Sequence, residues 1–191
     1  MKIILTRHGR TEENDAGILQ GHLPGTLSEN GWNQARKVAE RLKSETIDYA
    51  YSSDLARSAN TAKEIMKYHP ETPMEFTEEL RETFLGGWQW KTKAEVVFFN
   101  SPEGQAMAPT DFESTEAVTQ RVDKFLKRIF SIHKDNTVLL VGHSGVNKQL
   151  VWVLLGADPI ESIRNTSVSI FEIDDEGKVT TKLFNCTKHL D

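Results

Sequence analysis

The sequence predicts an α/β fold of three layers, in which a mostly parallel, doubly wound sheet carries helices on both faces. Three observations predict it. Short apolar runs alternate with segments of helical periodicity along most of the chain, as in strands joined by crossover helices. Two of these runs, Ile3–Leu5 and Thr137–Val141, are almost wholly apolar, as expected for strands buried on both faces. The last part of the chain instead shows two strand patterns around a turn, which predicts an antiparallel C-terminal hairpin.

Each element is predicted from its own pattern. Apolar runs predict strands before the hairpin at Ile3–Leu5, Tyr49–Tyr51, Met74–Thr77 and Thr137–Val141. Apolar residues at helical spacing predict helices over residues 28–43, Leu55–Met66, Val118–Ile129 and about 146–155. Ser28 is the expected N-cap of the first helix, and Ser52-Ser53-Asp54 is a cap signal before the second. The hairpin pairs Val168–Ile173 with Val179–Phe184 around a turn at residues 174–177.

The periodic patterns fail between about residues 80 and 113, where glycine, proline and aromatic residues accumulate. A long segment of this kind in a compact domain is usually functional, and we expect a cap region at about residues 84–113. Its aromatic residues are expected to form a local hydrophobic cluster: Trp88, Trp90, Phe98 and Phe99. Since no linker or internal repeat divides the chain, we expect residues 1–191 to form a single domain.

Composition excludes several classes of function. The chain of 191 residues has a net charge of −5, without the basic excess of proteins that bind nucleic acids or anionic membranes. Cys186 is the only cysteine, so no disulfide within the chain is expected and a reducing compartment is favoured. The apolar run Leu150–Leu155 is too short to span a bilayer, and residues 1–8 do not resemble a secretory signal. We therefore expect a cytoplasmic protein that binds neither nucleic acid nor membrane.

Four basic or potentially basic side chains follow the predicted strands, at the end of a parallel sheet where ligands bind. Arg7 and His8 come just after the first strand. Arg57 lies one turn into the helix after the second strand, and His143 comes just after Thr137–Val141. Guanidinium groups offer fork-shaped donors that match phosphate oxygens, and imidazoles can act as nucleophile or donor. Because helix N-termini add positive partial charge at the same edge, the combination predicts a site for a phosphoryl group.

Four short motifs occur along the chain in a recognisable order. They are Arg-His-Gly-Arg-Thr at residues 7–11, Ser-Ser-Asp-Leu-Ala-Arg at 52–57, a stretch from Glu82 to Trp90, and Val-Gly-His-Ser-Gly at 141–145. Together they resemble the ordered blocks of the histidine phosphatase superfamily, the phosphoglycerate-mutase-like family, whose signature is RHGxT. Four blocks in order are far more specific than the word Arg-His-Gly alone. The resemblance implies the three-layer fold of that family and its phosphoryl chemistry.

The resemblance also implies catalytic roles. His8 would be the nucleophile and carry a phosphohistidine intermediate. Arg7, Arg57 and His143 would bind the phosphoryl oxygens and stabilise their charge in the transition state. Glu82, chosen for its spacing to the Gly-Gly-Trp of residues 86–88, would protonate the leaving alkoxide and then take a proton from water. Since these basic groups would neutralise the phosphate, we expect neither a metal ion nor a cofactor.

Three further residues match positions that contact phosphate or substrate in the family: Asn14, Gln20 and Gly21. The chain departs from the family pattern in the expected cap region. Gln89-Trp90 stands where relatives often have Glu-Gly, and Phe112 replaces the usual glycine before a Glu-Ser pair. Both departures lie where the leaving group is expected, so they bear on the choice of substrate more than on the phosphoryl chemistry.

These observations predict a metal-independent hydrolase that removes phosphate from a small phosphorylated metabolite. Compact members of the family include α-ribazole phosphatases, sugar-bisphosphate phosphatases and broad-specificity enzymes. One alternative is a cofactor-dependent phosphoglycerate mutase, and another is a non-catalytic module that binds a phosphorylated ligand. A serine hydrolase is disfavoured because Val146 replaces the last glycine of the Gly-x-Ser-x-Gly motif around Ser144. The sequence leaves monomer and homodimer open.

Overall fold

A computed structural model describes residues 1–96, 107–157 and 161–191. Its strands are β1 (Lys2–Arg7), β2 (Tyr49–Ser53), β3 (Met74–Thr77), β4 (Thr137–Gly142), β5 (Val168–Ile173) and β6 (Val179–Cys186). Its α-helices are α1 (Glu12–Asp15), α2 (Glu29–Leu42), α3 (Ala56–Met66), α4 (Thr115–Ile132) and α5 (Ser144–Leu155). Short 3₁₀ helices span Glu78–Leu80, Gly86–Trp88 and Lys188–Leu190. No helix in the described ranges is long and apolar enough to cross a membrane.

The strands form one mixed sheet in the order β3-β2-β4-β1-β5-β6. The four strands from β3 to β1 are parallel, and β5 and β6 continue the sheet as an antiparallel pair. The predicted mostly parallel sheet and C-terminal hairpin are therefore confirmed. Because β5 runs antiparallel to β1, the chain before β5 lies at the same edge as the carboxyl ends of β1 and β4. That edge carries the candidate site.

Two hydrophobic clusters cover the two faces of the sheet. On β1, Ile3 and Leu5 face one cluster and Ile4 faces the other, as the alternation of side chains along a strand requires. Helices α4 and α5 pack on the first face, and α2 and α3 pack on the second. The predicted three layers are thus confirmed. The continuous apolar pattern of the central strands follows from burial on both sides.

The beginnings of α2 and α3 test the predicted caps. Ser28 is the N-cap of α2, since its Oγ accepts a hydrogen bond of 3.1 Å from the amide of Gly31. The cap signal predicted for α3 is wrong, because Leu55 is its N-cap and no side chain caps the helix. The Asp54 carboxylate is used elsewhere: its Oδ1 accepts a 2.8 Å hydrogen bond from Arg81 Nε. Asp54 thus forms a long-range ion pair with Arg81 instead of capping α3.

The expected aromatic cluster of the segment 84–113 forms only in part. Trp88 packs in a buried cluster with Leu19 and Val96, against Phe112. Trp90 is 65% exposed, so its predicted place in the cluster is wrong. Its backbone has φ of 71°, a left-handed conformation that favours glycine. Phe98 and Phe99 lie outside the described residues.

The two-sided core makes a quantitative prediction about β4. Replacing the fully buried Leu140 with alanine should lower the free energy of unfolding by about 2–5 kcal/mol, because it leaves a cavity between the sheet and α4 and α5. Ile132→Ala is the matched control: Ile132 ends α4 and is 58% exposed, so its truncation should change stability by less than about 0.5 kcal/mol. Urea unfolding measures both. Similar losses in the two variants would contradict the described core.

Candidate active site

The sheet brings the two predicted catalytic histidines together. His8 follows β1 and His143 follows β4, and these strands pair in parallel with Arg7 opposite Gly142. The ring centroids of the histidines lie 5.1 Å apart. Arg57, in the first turn of α3, contacts His143 directly. The basic side chains thus converge at one edge of the sheet, as predicted.

The position of one proton on His8 follows from its hydrogen bond. His8 is only 3% exposed, and its Nδ1 lies 2.7 Å from the carbonyl oxygen of Gly9. A carbonyl oxygen can only accept, so Nδ1 carries the proton and Nε2 keeps a lone pair. Burial, together with the nearby positive charges of Arg57 and Arg7, holds the pKa of His8 well below its usual value. His8 is therefore a neutral imidazole with a nucleophilic Nε2.

His143 has the opposite tautomer. Its Nδ1 accepts a 3.1 Å hydrogen bond from Arg57 Nε, a group that can only donate. Burial and the charge of Arg57 hold the pKa of His143 well below its usual value, so the ring is neutral and its proton lies on Nε2. That Nε2 is buried and has no hydrogen-bond partner among the described residues. The tautomer thus presents an unused N–H donor within the site.

A loop of backbone carbonyls holds Arg57. Its side chain is 1% exposed, and its guanidinium donates to the oxygens of Gly21 (2.9 Å), Pro24 (3.3 Å) and Leu23. Burial lowers its pKa to about 10, so Arg57 stays positively charged at neutral pH. Gly25, with φ of 70°, closes this loop, and a Cβ there would lie 2.8 Å from Arg57 Cδ. Only glycine lets the loop approach the guanidinium so closely.

Arg7 is held by a different part of the chain. Its Nη1 donates a 2.8 Å hydrogen bond to the carbonyl of Ile163, in the segment before β5. Burial lowers its pKa, although the charge of Glu82 opposes the shift. Its buried Nε has no hydrogen-bond partner among the described residues. Arg7 Nε and His143 Nε2 are thus two buried donors that the described residues leave without an acceptor, an arrangement that is costly unless a ligand supplies the acceptors.

Glu82 lies at the N-terminus of α5. Its Oε2 accepts a 3.0 Å hydrogen bond from the amide of Gly145, and its Oε1 accepts bonds of 3.0 Å from the amides of Val146 and Thr83. These bonds and the positive end of the helix dipole fix the carboxylate beside His143, the N-cap of α5. The carboxylate of Glu82, the residue predicted from its sequence spacing, therefore lies next to the basic cluster.

Of the three predicted binding residues, Gly21 is the one that bonds directly to the basic cluster within the described residues. The carbonyl of Gly21 accepts from Arg57 Nη2, and Gly21 has φ of 51°. Gln20 Nε2 donates a 2.9 Å bond to Thr11 Oγ1, and its buried Oε1 has no partner among the described residues. Asn14 caps the N-terminus of α1 instead: its Oδ1 accepts a hydrogen bond from the amide of Thr11 in a capping box. Thr11 links Asn14 to Gln20, because its amide donates to Asn14 Oδ1 and its Oγ1 accepts from Gln20 Nε2.

Sequence reasoning missed the segment before β5. Asn165 Nδ2 donates a 2.9 Å bond to the carbonyl of His8, and the amide of Thr166 donates a 2.9 Å bond to the carbonyl of Arg7. With Ile163, which binds Arg7, this segment anchors both residues that follow β1. The signal was the polar Asn-Thr-Ser of residues 165–167 directly before a buried strand, which marks a loop at an edge of the sheet. The segment lies at this edge because β5 runs antiparallel to β1.

The site combines a neutral nitrogen nucleophile with fixed donors and guanidinium charge. This is the chemistry that a tetrahedral oxyanion such as a phosphoryl group requires. Across the described ranges, no group of three or more His, Cys, Asp or Glu residues is arranged to hold a metal ion.

Comparisons with known proteins agree with this chemistry. The family model of the histidine phosphatase superfamily (branch 1) matches residues 3–187. The chain is 34% identical to phosphoglycerate mutase-like protein 4 of Arabidopsis thaliana, in an alignment covering 100% of this chain and 87% of the relative. It is 30% identical to the adenosylcobalamin/alpha-ribazole phosphatase of Salmonella typhi, covering 97% of this chain and 96% of the relative.

A solved structure shows the same fold. YhfR of Bacillus stearothermophilus superposes with a TM-score of 0.89 at 28% identity, covering 100% of this chain and 99% of that one. The similarity therefore includes the sheet, both helical layers and the residues between them. With the family match over nearly the whole length, this chain belongs to the histidine phosphatase superfamily.

Proposed function

We propose that this protein hydrolyses the phosphomonoester of a small phosphorylated metabolite through a phosphohistidine intermediate on His8. One observation carries the proposal: two buried donors, Arg7 Nε–H and His143 Nε2–H, have no acceptor among the described residues, and they lie beside the histidine whose Nε2 keeps a lone pair. A phosphoryl oxygen satisfies such donors, and phosphorus accepts the nucleophile. The named phosphatase among the relatives supports the same reaction class.

In the first step, His8 Nε2 attacks phosphorus in line with the leaving oxygen. The nitrogen–phosphorus bond forms while the phosphorus–oxygen bond of the ester breaks. Arg7, Arg57 and His143 hold the three non-bridging oxygens and stabilise their negative charge. The burial of Arg57 and His143 strengthens that stabilisation, because little water screens it. Glu82 in its protonated form gives its proton to the leaving alkoxide.

In the second step, water hydrolyses the phosphohistidine. The Glu82 carboxylate takes a proton from the water as its oxygen attacks phosphorus, and the nitrogen–phosphorus bond breaks. Inorganic phosphate and neutral His8 are the products, so charge and protons balance over the cycle. The basic groups of the protein neutralise the phosphoryl charge throughout, so the mechanism requires no metal ion or cofactor.

Substrate recognition falls to the residues around the basic cluster. Asn14, Gln20 and Gly21 would contact the phosphate or the atoms next to it, and the unpartnered Gln20 Oε1 leaves hydrogen-bonding capacity there. The segment 84–113 would form a cap over the leaving group within a single domain. In this region the indole of Trp90 is exposed, and the Gln89 side chain accepts a 2.7 Å bond from the amide of His22.

The nucleophile is tested by His8→Ala. Purified wild-type protein should release phosphate from 4-nitrophenyl phosphate in the presence of EDTA, and His8→Ala should lower kcat/KM by ~10³-fold or more because no phosphohistidine can form. His69→Ala is the matched control, since His69 binds the carbonyl of Leu42 away from the site. Phosphate release by His8→Ala at a near wild-type rate would refute the assignment.

The proton donor is tested by Glu82→Gln with two substrates of similar shape. Phenyl phosphate has a poorer leaving group than 4-nitrophenyl phosphate and depends more on protonation. Its kcat/KM should fall ~10²-fold or more, while that of 4-nitrophenyl phosphate falls less than about 10-fold. Glu78→Gln, whose carboxylate is an exposed neighbour in the same acidic stretch, should leave both values unchanged. Equal losses on the two substrates in Glu82→Gln would exclude Glu82 as the acid.

A further inference from the structure

We propose that Arg121 and Glu113 form a latch that positions Glu82 for proton transfer to the leaving group. This inference rests on the proposed function and assigns two residues that do not touch the substrate. Arg121 lies in α4, and Glu113 lies just before that helix.

The latch is a two-point ion pair. Arg121 Nε donates a 2.7 Å hydrogen bond to Glu113 Oε1, and Arg121 Nη2 donates a 3.0 Å bond to Glu113 Oε2. Both side chains are largely buried. Burial alone would raise the pKa of Glu113, but the bonds from Arg121 and from the amide of Phe84 hold it below the usual value. The pair is therefore ionised, and its planar geometry fixes the guanidinium.

The fixed guanidinium and carboxylate then hold the backbone on both sides of the proton donor. Arg121 Nη1 donates a 2.8 Å bond to the carbonyl of Glu79, and Nη2 donates a 3.1 Å bond to the carbonyl of Glu82. Glu113 Oε2 accepts a 2.9 Å bond from the amide of Phe84, and the Glu113 amide donates a 2.9 Å bond to the carbonyl of Phe84. Residues 79–84 are thus tied to the start of α4.

The position of the proton donor, Glu82, depends on these hydrogen bonds because the residue lies outside regular secondary structure. Glu82 follows the 3₁₀ helix Glu78–Leu80 and precedes Gly86–Trp88, with no helix or strand ladder of its own. Its carbonyl receives a second bond, of 2.8 Å, from Nε2 of His22. With the backbone held from two sides, the side chain reaches the N-terminus of α5. Small displacements of a reacting group are costly, about 10²-fold in rate for 1 Å.

A purely structural role for the latch makes a different prediction. Loss of general stability would reduce activity towards all substrates alike, whereas misplacement of Glu82 would reduce activity according to the need for protonation. Arg128 provides a matched control on the same helix. It also forms ion pairs with two glutamates, Glu75 and Glu79, but within the described residues its hydrogen bonds and ion pairs do not reach residues 82–84.

The test measures kcat/KM for phenyl phosphate and 4-nitrophenyl phosphate in four variants: Arg121→Gln, Arg121→Lys, Arg128→Gln and Glu82→Gln/Arg121→Gln. Arg121→Gln should lose about 10–100-fold on phenyl phosphate and less than about 3-fold on 4-nitrophenyl phosphate. Arg121→Lys keeps the positive charge beside Glu113 but loses the two-point hydrogen bonding of the guanidinium. It should therefore show a smaller selective loss than Arg121→Gln. Arg128→Gln should change both values by less than about 2-fold. The double variant should resemble Glu82→Gln alone, because Arg121 acts through Glu82.

The outcomes separate this inference from the proposed function. Wild-type protein that hydrolyses neither ester would refute the proposed function itself. If wild-type protein is active and Glu82→Gln is selective, equal losses or no losses in a folded Arg121 variant would overturn the latch. Circular dichroism and the melting temperature establish folding, and Arg121→Lys carries the test if Arg121→Gln does not fold. A further selective loss in the double variant beyond Glu82→Gln would also overturn it.

Discussion

The burial of two guanidinium groups beside two imidazoles is the constraint on which the rest of the site depends. Arg57 donates to His143 Nδ1 and so determines which nitrogen of His143 carries the proton. The guanidinium groups donate to the backbone carbonyls of Gly21, Leu23, Pro24 and Ile163, which makes their burial tolerable. The carboxylate of Glu82 supplies nearby negative charge. In the part of the chain that the structure describes, Arg7 Nε and His143 Nε2 have no acceptor, and a phosphoryl group has the required charge and oxygens.

Whole-chain charge is a poor guide to such a site. The net charge of −5 gives no indication of an anionic ligand, yet the edge of the sheet gathers buried positive charge. A bound anion responds to the groups within a few ångströms, because water and salt screen the more distant acidic residues. The acidic surface and the basic site are therefore compatible.

Most of the fold and the centre of the site could be predicted from the sequence. Strand β4 and helix α2 have strong apolar patterns, and motif order identifies His8, His143 and their arginines. The partners of these residues could not be predicted, since Asn165 and Ile163 reach the site only through the antiparallel direction of β5. The predicted cap of α3 is wrong because the Asp54 carboxylate binds Arg81, 27 residues away in the sequence. Local sequence patterns do not indicate such a contact. The prediction for Trp90 is wrong because its side chain is 65% exposed on a backbone in a left-handed conformation, and a run of aromatic residues indicates neither.

The most direct test of the account is whether phosphate becomes covalently attached to His8 during turnover. Protein quenched in alkaline denaturant while hydrolysing 4-nitrophenyl phosphate can be digested and its phosphopeptides mapped by mass spectrometry. The account predicts phosphate on His8 that survives alkali and is lost in acid. Acid-stable phosphate on Ser144, or rapid turnover with no phosphorylated residue, would contradict it.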